Sequence, residues 1–368
     1  MNRVIPERVD ALRLRALSEI KAGHLPSCQF ALAMDGKVLV NETLGEATPD
    51  SRYVLFSATK PIVASVVWQM VAQGLLDYTA PIATYWPEFA RNGKDQVTLD
   101  HVLLHTAGFP RAMVGFEVAG DRAARVAQME SWTLEWAPGA MYEYHALSAH
   151  WVLSELITRR LGVDHREAVR GLLHSLGLDR VELGTAVENQ TDIARVQYTM
   201  EQPTSEALMT ALGTDKMPES PVSDLRVFAT PAALEAGVPG GGGVSDASQV
   251  ALFYQALLHN PNGVWQSEIL HDGTSVIHSR LTDPTGTVGL RTRGLEIAGD
   301  DASARFRVGS GVTPPNTFGH RGAGGQLAWA DPTTGLSFAF LTNGIDRDFI
   351  RESRRSRDLT ALAYHCVA

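Results

Sequence analysis

A serine and a lysine lie three residues apart where an apolar run leads into a predicted helix: Ser57 and Lys60 in YVLFSATKPIVASVVWQMVAQG, positions 53–74. Proline is tolerated in the first turn of a helix, so Pro61 predicts that the helix begins within a few residues of Ser57. Lys60 then lies on nearly the same face as Ser57, about 60° round and roughly one turn on, within reach of the hydroxyl. Burial would lower the pKa of Lys60 toward neutrality and let it act as a base. The pattern therefore predicts a serine nucleophile activated by a lysine.

The same spacing has an ordinary structural explanation. Ser57 could cap the helix while Lys60 buries its methylene groups and keeps its amine in water. A second copy of the pattern, Ser18 to Lys21, lies within a predicted amphipathic helix, with Ser18 turned away from the apolar stripe. We assign this second copy to the surface. Other segments have to decide between the two explanations for Ser57.

Two further stretches carry candidate residues. Tyr144 lies in WAPGAMYEYH, positions 136–145, and His320 lies in FGHRGAGGQLAWADPTTGLSFAFLTNG, positions 318–344, just before a predicted strand. Taken alone, Tyr144 would be a buried tyrosine with one hydrogen bond, and His320 a histidine in a turn. Their order after Ser57 and Lys60 makes the combination much more specific than any one segment.

With these three motifs in order, the chain resembles the serine hydrolases of the β-lactamase superfamily: class C β-lactamases, DD-peptidases and family VIII esterases. Ser57-Ala58-Thr59-Lys60 matches the nucleophile motif, Tyr144 matches the family's tyrosine, and His320-x-Gly322 matches the third motif in its esterase-like form. The resemblance spans nearly the whole chain, because two more segments look like family scaffold: LLHTAG at 103–108 and GGGVSDASQVALFYQALL at 241–258.

The resemblance implies a role for each residue. Ser57 would attack a carbonyl and form an acyl-enzyme, and either Lys60 or Tyr144 would be the immediate base, since a phenol near an ammonium ionises more easily. The backbone N–H groups of Ser57 and Ala323 would form the oxyanion hole. The residues expected to bind substrate are His320, Arg321, Gly322, where a glycine lets substrate approach the backbone, and His145.

Two departures from the β-lactamase pattern favour ester substrates. The tyrosine motif ends in Ala146 where β-lactamases have asparagine, so a polar anchor for a peptide-like or β-lactam amide is lost. His320 replaces the lysine that would attract a β-lactam carboxylate, and Arg321 would compensate only in part. We therefore predict a carboxylesterase that acts on small-molecule esters.

Other functions fit the same residues less well. A β-lactamase, a D-amino-acid peptidase or amidase, and an acyltransferase are enzymatic alternatives. A catalytically silent scaffold that binds a ligand is the non-enzymatic alternative, and the intact Ser57, Lys60 and Tyr144 speak against it.

No cofactor or metal is expected. His101 and His105 lie four residues apart, as zinc ligands can, but there is no His-Glu-x-x-His motif, and structural roles are favoured. Gly240 to Gly243 lacks the following Lys-Ser/Thr of a phosphate loop. The chain has no Gly-x-Ser-x-Gly motif, which argues against an α/β-hydrolase.

The composition of the chain argues against some classes of binding partner. The 368 residues are 44% hydrophobic with a formal net charge of -9, so the chain can bury a large core and offers no basic surface for nucleic acid or anionic lipid. No apolar run reaches the roughly 18 residues of a membrane span. The first 25 residues lack the apolar core of a signal peptide, so we expect a cytoplasmic protein. Cys28 and Cys366 have neither metal nor redox-pair spacing.

The elements that must position these residues follow from periodicity. Residues 6–22 form a predicted amphipathic helix, and Asp35-Gly36 predicts a hairpin turn. A second hairpin turns at Asp331 to Gly335, and residues 348–365 close the chain as a helix. Residues 201–243, rich in proline, are predicted to be mainly loop.

The predicted fold class is α+β, of the β-lactamase/DD-peptidase type. One antiparallel sheet is assembled from both termini and flanked by helices, and an all-helical lobe is added. We predict that residues 1–76 and 235–368 form the domain with the sheet, and that residues 77–234 form a mainly helical domain with long loops.

Overall fold

The computed structural model describes residues 4–212, 215 and 222–367. Within this part the helices are α1 Pro6–Lys21, α2 Lys60–Ala72, α3 Leu99–Leu103, α4 Arg122–Ser131, α5 Ser148–Leu161, α6 His165–Ser175, α7 Ser205–Leu212, α8 Pro231–Ala236, α9 Ala247–His259, α10 Ser267–Ser275 and α11 Phe349–Tyr364. The strands are β1 Ser27–Met34, β2 Lys37–Gly45, β3 Tyr53–Val54, β4 Glu182–Leu183, β5 Gln197–Thr199, β6 Gly243–Ser245, β7 Glu296–Ile297, β8 Phe318–Gly319, β9 Leu327–Ala330, β10 Ser337–Thr342 and β11 Gly344–Asp346.

The central sheet joins the two ends of the chain. Its six strands run in the order β2-β1-β10-β9-β8-β7, and all neighbours are antiparallel. Phe30 of β1 lies opposite Phe340 of β10. The predicted α+β fold, with a sheet built from both termini and flanked by helices, is confirmed.

Both predicted hairpins are present because their turn residues adopt the backbone that tight turns need. Asp35 and Gly36 have φ of 52° and 71°, and such positive angles at both central positions suit the twist of the strands β1 and β2. In the second hairpin, the N–H of Gly335 donates to the carbonyl of Asp331 at 2.9 Å, and the β9–β10 register follows.

The two faces of the sheet carry different side chains. Large residues such as Leu32, Phe338 and Phe340 point to one face, where they pack in a buried cluster with residues of α1 and α11. Small residues such as Ala31 and Ala339 point to the other face, against α9. The burial of each large side chain contributes roughly 1.5–3 kcal/mol, so the alternation along β10 fixes its register.

Helix α2 runs through the middle of the core. It is buried nearly all round, and it packs against α5 and α10. The helix ends at a left-handed glycine, Gly74 with φ of 70°, whose N–H donates to Val71 O at 2.9 Å. Asp246 caps α9 by accepting from the N–H of Gln249 at 3.0 Å.

Residues 77–234 contain helices α3 to α8, but also two short strands that the sequence did not predict. Strand β4 pairs with β6, and β5 pairs with β11, so both strands join partners outside this segment. The division into two domains stays a prediction. Of the predicted loop 201–243, residues 213, 214 and 216–221 lie outside the described residues. Among the helices described, none combines the length and apolar character that crossing a bilayer requires.

Candidate active site

Ser57 is presented by a strained turn within a buried segment. Between positions 52 and 68 it is the one residue that is not fully buried. The preceding Phe56 has φ of 46°, a left-handed conformation that costs a non-glycine residue roughly 1–3 kcal/mol. A 3₁₀ turn, Phe56–Thr59, then leads directly into α2. The turn and the helix start together expose the Ser57 hydroxyl while the residues around it stay in the core.

The amine of Lys60 is buried beside that hydroxyl. Lys60 Nζ lies 3.1 Å from Ser57 Oγ, 2.7 Å from the carbonyl oxygen of Ala146 and 2.6 Å from that of Gly240. The side chain is fully buried, and burial, followed by the positive charge of Arg291, holds the pKa of Lys60 well below its usual value. A neutral amine has two hydrogens for the two carbonyls and one lone pair for the Ser57 O–H. The contacts therefore suit a base.

Tyr144 lies over the same amine. Its ring centroid is 5.0 Å from Lys60 Nζ, and its buried hydroxyl has no hydrogen-bond partner of normal geometry in the described part of the chain. Burial raises the pKa of Tyr144, an effect that the nearby Ser57 hydroxyl and the Arg291 guanidinium offset in part. Ser57, Lys60 and Tyr144 thus converge in one cluster, although Tyr144 is remote from the other two in sequence.

The glycine run at 240–243 explains how Lys60 can be enclosed. A Cβ on Gly240 would lie 3.1 Å from the carbonyl oxygen of Ala146, and a Cβ on Gly243 would lie 2.8 Å from Thr59 Oγ1. The N–H of Gly243 also donates to Thr59 Oγ1 at 3.0 Å. Glycine is required here for close packing of the backbone against the start of α2.

His320 lies on the other side of the tyrosine. Its ring centroid is 5.8 Å from that of Tyr144, and the residue is buried, with 5% of its surface exposed. Nδ1 donates to the carbonyl of Arg321 at 2.7 Å, which leaves Nε2 buried without a partner among the described residues. Burial, with the charges of Arg291 and Lys60, holds the pKa of His320 well below its usual value. The ring is therefore neutral at pH 7.

Gly322 brings the third motif against the nucleophile turn. A Cβ at this position would lie 2.3 Å from the carbonyl oxygen of Leu55, so only glycine allows the approach. Ala323 opens a 3₁₀ turn, Ala323–Gly325, where the first N–H groups have no acceptor within the turn. The geometry leaves the Ala323 N–H suited to an oxyanion, and its role stays a prediction.

Comparison with known proteins assigns the chain to a family. The family model described as Beta-lactamase matches residues 2–363. The chain belongs to the beta-lactamase family. Two relatives are similar over most of their length. Esterase/beta-lactamase LipL of Mycobacterium tuberculosis is 29% identical over 345 residues, which cover 85% of this chain and 76% of LipL. Esterase EstB of Burkholderia gladioli is 28% identical over 379 residues, which cover 91% and 90%.

Solved structures of low identity share the fold. A penicillin-binding protein homolog from Caulobacter crescentus superposes with a TM-score of 0.79 at 23% identity, covering 99% of this chain and 100% of that one. A family VIII carboxylesterase gives a TM-score of 0.78 at 22% identity, with the same coverage. Membership of the beta-lactamase family, with these esterase relatives, makes the chain an enzyme of the serine hydrolase kind.

Two residues expected to bind substrate in this beta-lactamase-family enzyme have partners inside the protein. His145 is fully buried; its Nε2 accepts from the N–H of Phe109 at 3.1 Å, and its Nδ1 donates to the carbonyl of Glu143 at 2.6 Å. Both ring nitrogens are thus used to hold the loop beside Tyr144. The guanidinium of Arg321 donates to the carbonyl of Phe306.

The candidate metal ligands and the second serine-lysine pair have structural positions. His101 Nδ1 accepts from the N–H of Thr98 at 3.2 Å in the cap of α3. Within residues 4–212, 215 and 222–367, no group of three or more His, Cys, Asp or Glu side chains is placed to hold a metal ion. Ser18 is exposed and donates to Arg15 O at 2.6 Å, which confirms its assignment to the surface.

Three further residues lie in the cluster around Tyr144, and two of them, Arg291 and His105, were not predicted to belong to the site. Arg291 Cζ lies 5.4 Å from the Tyr144 ring centroid, and the His105 ring lies 4.8 Å from it. His150 stacks 6.3 Å from His105, and both of its ring nitrogens are buried without partners among the described residues. His105 has φ of 59°, and its position within LLHTAG was the one signal that could have placed it near the tyrosine.

Proposed function

We propose that this serine hydrolase cleaves carboxylic esters of modest size through an acyl-enzyme on Ser57. The observation that carries the proposal is the fully buried amine of Lys60, 3.1 Å from Ser57 Oγ, with two backbone carbonyls as its other partners. A lysine held in this way has its lone pair available only toward the serine.

Acylation proceeds by proton transfer from Ser57 to Lys60. As the Oγ–H proton moves to Nζ, Oγ forms a bond to the ester carbonyl carbon, and the C=O π electrons move to the oxygen, which the N–H groups of Ser57 and Ala323 stabilise. The tetrahedral intermediate collapses when the bond to the leaving oxygen breaks. That oxygen takes its proton from Lys60, directly or through the hydroxyl of Tyr144.

Deacylation repeats the sequence with water. Water gives a proton to Lys60, directly or through the hydroxyl of Tyr144, as its oxygen attacks the acyl carbon, and the carboxylic acid leaves when the bond to Oγ breaks. The proton then returns to Ser57. We assign the first proton transfer to Lys60, because burial favours its neutral amine, which can accept a proton, and disfavours a phenolate at Tyr144.

Features around the triad favour an ester over a β-lactam. Ala146 offers only its carbonyl, and Lys60 already occupies it at 2.7 Å. Burial keeps His320 neutral, so it cannot replace the lysine that would attract a β-lactam carboxylate, and Arg321, one of whose N–H groups donates to the carbonyl of Phe306, would compensate only in part. The name of EstB as an esterase supports the same choice, whereas LipL is named for both activities, as an esterase/beta-lactamase.

The test compares hydrolysis of p-nitrophenyl butyrate and of nitrocefin by the purified wild-type enzyme, Ser57→Ala and the surface control Ser18→Ala. We expect rapid ester cleavage by the wild type and by Ser18→Ala, and loss of at least about 10³-fold in Ser57→Ala. Rapid nitrocefin turnover without ester cleavage would refute the ester proposal. Failure of a fluorophosphonate probe to label Ser57 would favour a non-catalytic scaffold.

A further inference from the structure

The ring of Tyr144 lies near two cationic side chains that come from different parts of the chain. Lys60 Nζ is 5.0 Å from the ring centroid, and Arg291 Cζ is 5.4 Å from it. Arg291 lies in the segment between α10 and β7 and is 6% exposed. Burying a guanidinium is costly unless its surroundings compensate for the lost water, so its place beside Tyr144 calls for an explanation.

Arg291 is held in place by its neighbours. Its Nε donates to the hydroxyl of Tyr142 at 3.1 Å, and Nη2 lies 3.5 Å from a carboxylate oxygen of Glu296. The backbone is also fixed, since the N–H of Arg291 donates to Ser279 O at 3.2 Å. The other oxygen of Glu296 accepts from the N–H of Val308 at 2.7 Å. The guanidinium is therefore a charge at a fixed position.

The other groups around Tyr144 carry little positive charge at neutral pH. Burial lowers the pKa of Lys60 and of the three histidines, while a guanidinium stays protonated in proteins. Arg291 is thus the fully charged cation among the described groups that face the phenol. The ionisable groups around the pair are Lys60 of α2, His105, Tyr142, His150 of α5, Glu296 of β7 and His320 of the third motif.

We propose that Arg291 is a positioning residue for the proposed ester hydrolysis: its fixed charge disfavours protonation of the Lys60 amine and stabilises negative charge on Tyr144. The inference rests on the proposed function and adds a residue that acts through these two groups without touching substrate. The guanidinium of Arg291 lies 5.4 Å from the Tyr144 ring centroid, and its positive charge adds to burial in lowering the pKa of Lys60, so it acts on both groups.

The sign of the expected pH effect follows from the charge. Activity requires Lys60 as the free amine, so kcat/KM falls on the acidic side as Lys60 is protonated. Without the charge of Arg291 the amine holds its proton up to a higher pH. The acidic limb, which is the part of the pH profile where kcat/KM falls with decreasing pH, therefore moves toward alkaline pH. A neighbouring charge of one unit shifts a pKa by about 1–3 units, and Arg291 and Lys60 both lie beside the Tyr144 ring, so we expect a shift at the low end of this range, about one unit.

The experiment measures kcat/KM for p-nitrophenyl butyrate from pH 5 to 10 in Arg291→Gln and Arg291→Lys. We expect Arg291→Gln to shift the limb by about one unit toward alkaline pH, so that kcat/KM on the acidic limb falls by about tenfold, with KM changed little. Arg291→Lys should restore most of the limb position. The control is Arg293→Gln, because Arg293 is a partly buried, ion-paired arginine of the same segment that binds Asp100 and Asp272. Its limb should stay in place even if the protein is less stable.

A second variant tests the opposite direction. Glu296→Gln removes the negative charge near Arg291 while keeping an acceptor for the N–H of Val308, so the limb should move toward acidic pH. This variant decides the matter if Arg291→Gln does not fold. The role of Arg291 would be refuted if the acidic limb kept its wild-type position in folded Arg291→Gln and Glu296→Gln. A shift in Arg293→Gln as large as that in Arg291→Gln would also refute it.

The rate of Ser57 labelling by a fluorophosphonate separates this inference from the proposed function. Labelling needs an activated serine but no ester turnover, so its pH dependence reports on Lys60 even if the wild type cleaves no ester. Ester cleavage with an unmoved limb refutes the role of Arg291 alone. Labelling with a shifted limb in Arg291→Gln, but without ester cleavage, refutes the ester proposal alone.

Discussion

The amine of Lys60 donates to the backbone carbonyl of Gly240 at 2.6 Å, across 180 residues of sequence. The contact ties the start of α2, which follows the nucleophile, to the glycine run before β6. It also limits what can occupy position 240, since a Cβ there would point at the carbonyl of Ala146, the other acceptor of the same amine.

Gly240→Ala is therefore expected to reduce activity by moving the two carbonyls that orient Lys60. We expect kcat for p-nitrophenyl butyrate to fall by about tenfold or more, because small displacements of a catalytic group are costly. The control is Gly171→Ala in the exposed part of α6, where a Cβ meets no neighbour within 4 Å. This variant should gain about 0.5–1 kcal/mol in urea unfolding and keep full activity. Equal kcat in the two variants would contradict the role of Gly240.

Tyr144→Phe is expected to stabilise the protein while it removes activity. The buried hydroxyl of Tyr144 has no partner of normal geometry in the described chain, so its removal should raise the free energy of unfolding by about 1 kcal/mol. Loss of its proton transfer should lower kcat/KM by about 10²–10⁴-fold.

Tyr78→Phe is the matched control for that variant. The hydroxyl of Tyr78 is also buried without a partner among the described residues, but its ring lies under Arg293 at 3.9 Å and not at the site. We expect a similar gain in stability with activity retained. Comparable activity in the two phenylalanine variants would exclude Tyr144 from the chemistry.

Local signals predicted the parts of the fold that local residues determine. Asp35-Gly36 adopts positive φ whatever lies around it, and Pro61 marks a helix start by its missing N–H. The strands β4 and β5 are only two and three residues long, too short to show periodicity, and they exist because β6 and β11 pair with them. No pattern within residues 77–234 could have indicated them.

Part of the site could likewise be predicted from local sequence, and part could not. Ser57 and Lys60 belong to one turn and helix start, so their contact could be predicted from spacing alone. Isolated backbone bridges to Ser279 and Glu296 hold Arg291 near Tyr144, and such bridges have no recognisable motif in the sequence. His145 lies next to Tyr144 in the sequence and was therefore predicted to bind substrate. In the structure its ring instead accepts a hydrogen bond from the backbone N–H of Phe109.

Asp164 offers a test of pH-dependent stability away from the site. It caps α6 by accepting from the N–H of Arg166 at 2.9 Å, and it pairs with the Arg166 guanidinium at 2.7 Å. Burial would raise the pKa of Asp164, but the hydrogen bonds from Arg166 and the charge of His165 outweigh it and bring the pKa to about 2. The folded state therefore favours the carboxylate more than the unfolded chain does, where an aspartate has a pKa of about 3.9.

Because the folded pKa is lowered, the stabilisation is fully present above about pH 4 and is lost as pH falls toward 2. The shift corresponds to about 2.6 kcal/mol, which solvent screening of a carboxylate that is 32% exposed reduces to about 1 kcal/mol. Asp164→Asn keeps a capping side chain, so its urea unfolding should show this loss at pH 7 and a smaller one at pH 3. The control is Asp179→Asn, whose side chain is 72% exposed beside His174 and which should change stability by less than about 0.5 kcal/mol. A loss at Asp164 that is independent of pH would mean that its hydrogen bonds, and not its charge, stabilise α6.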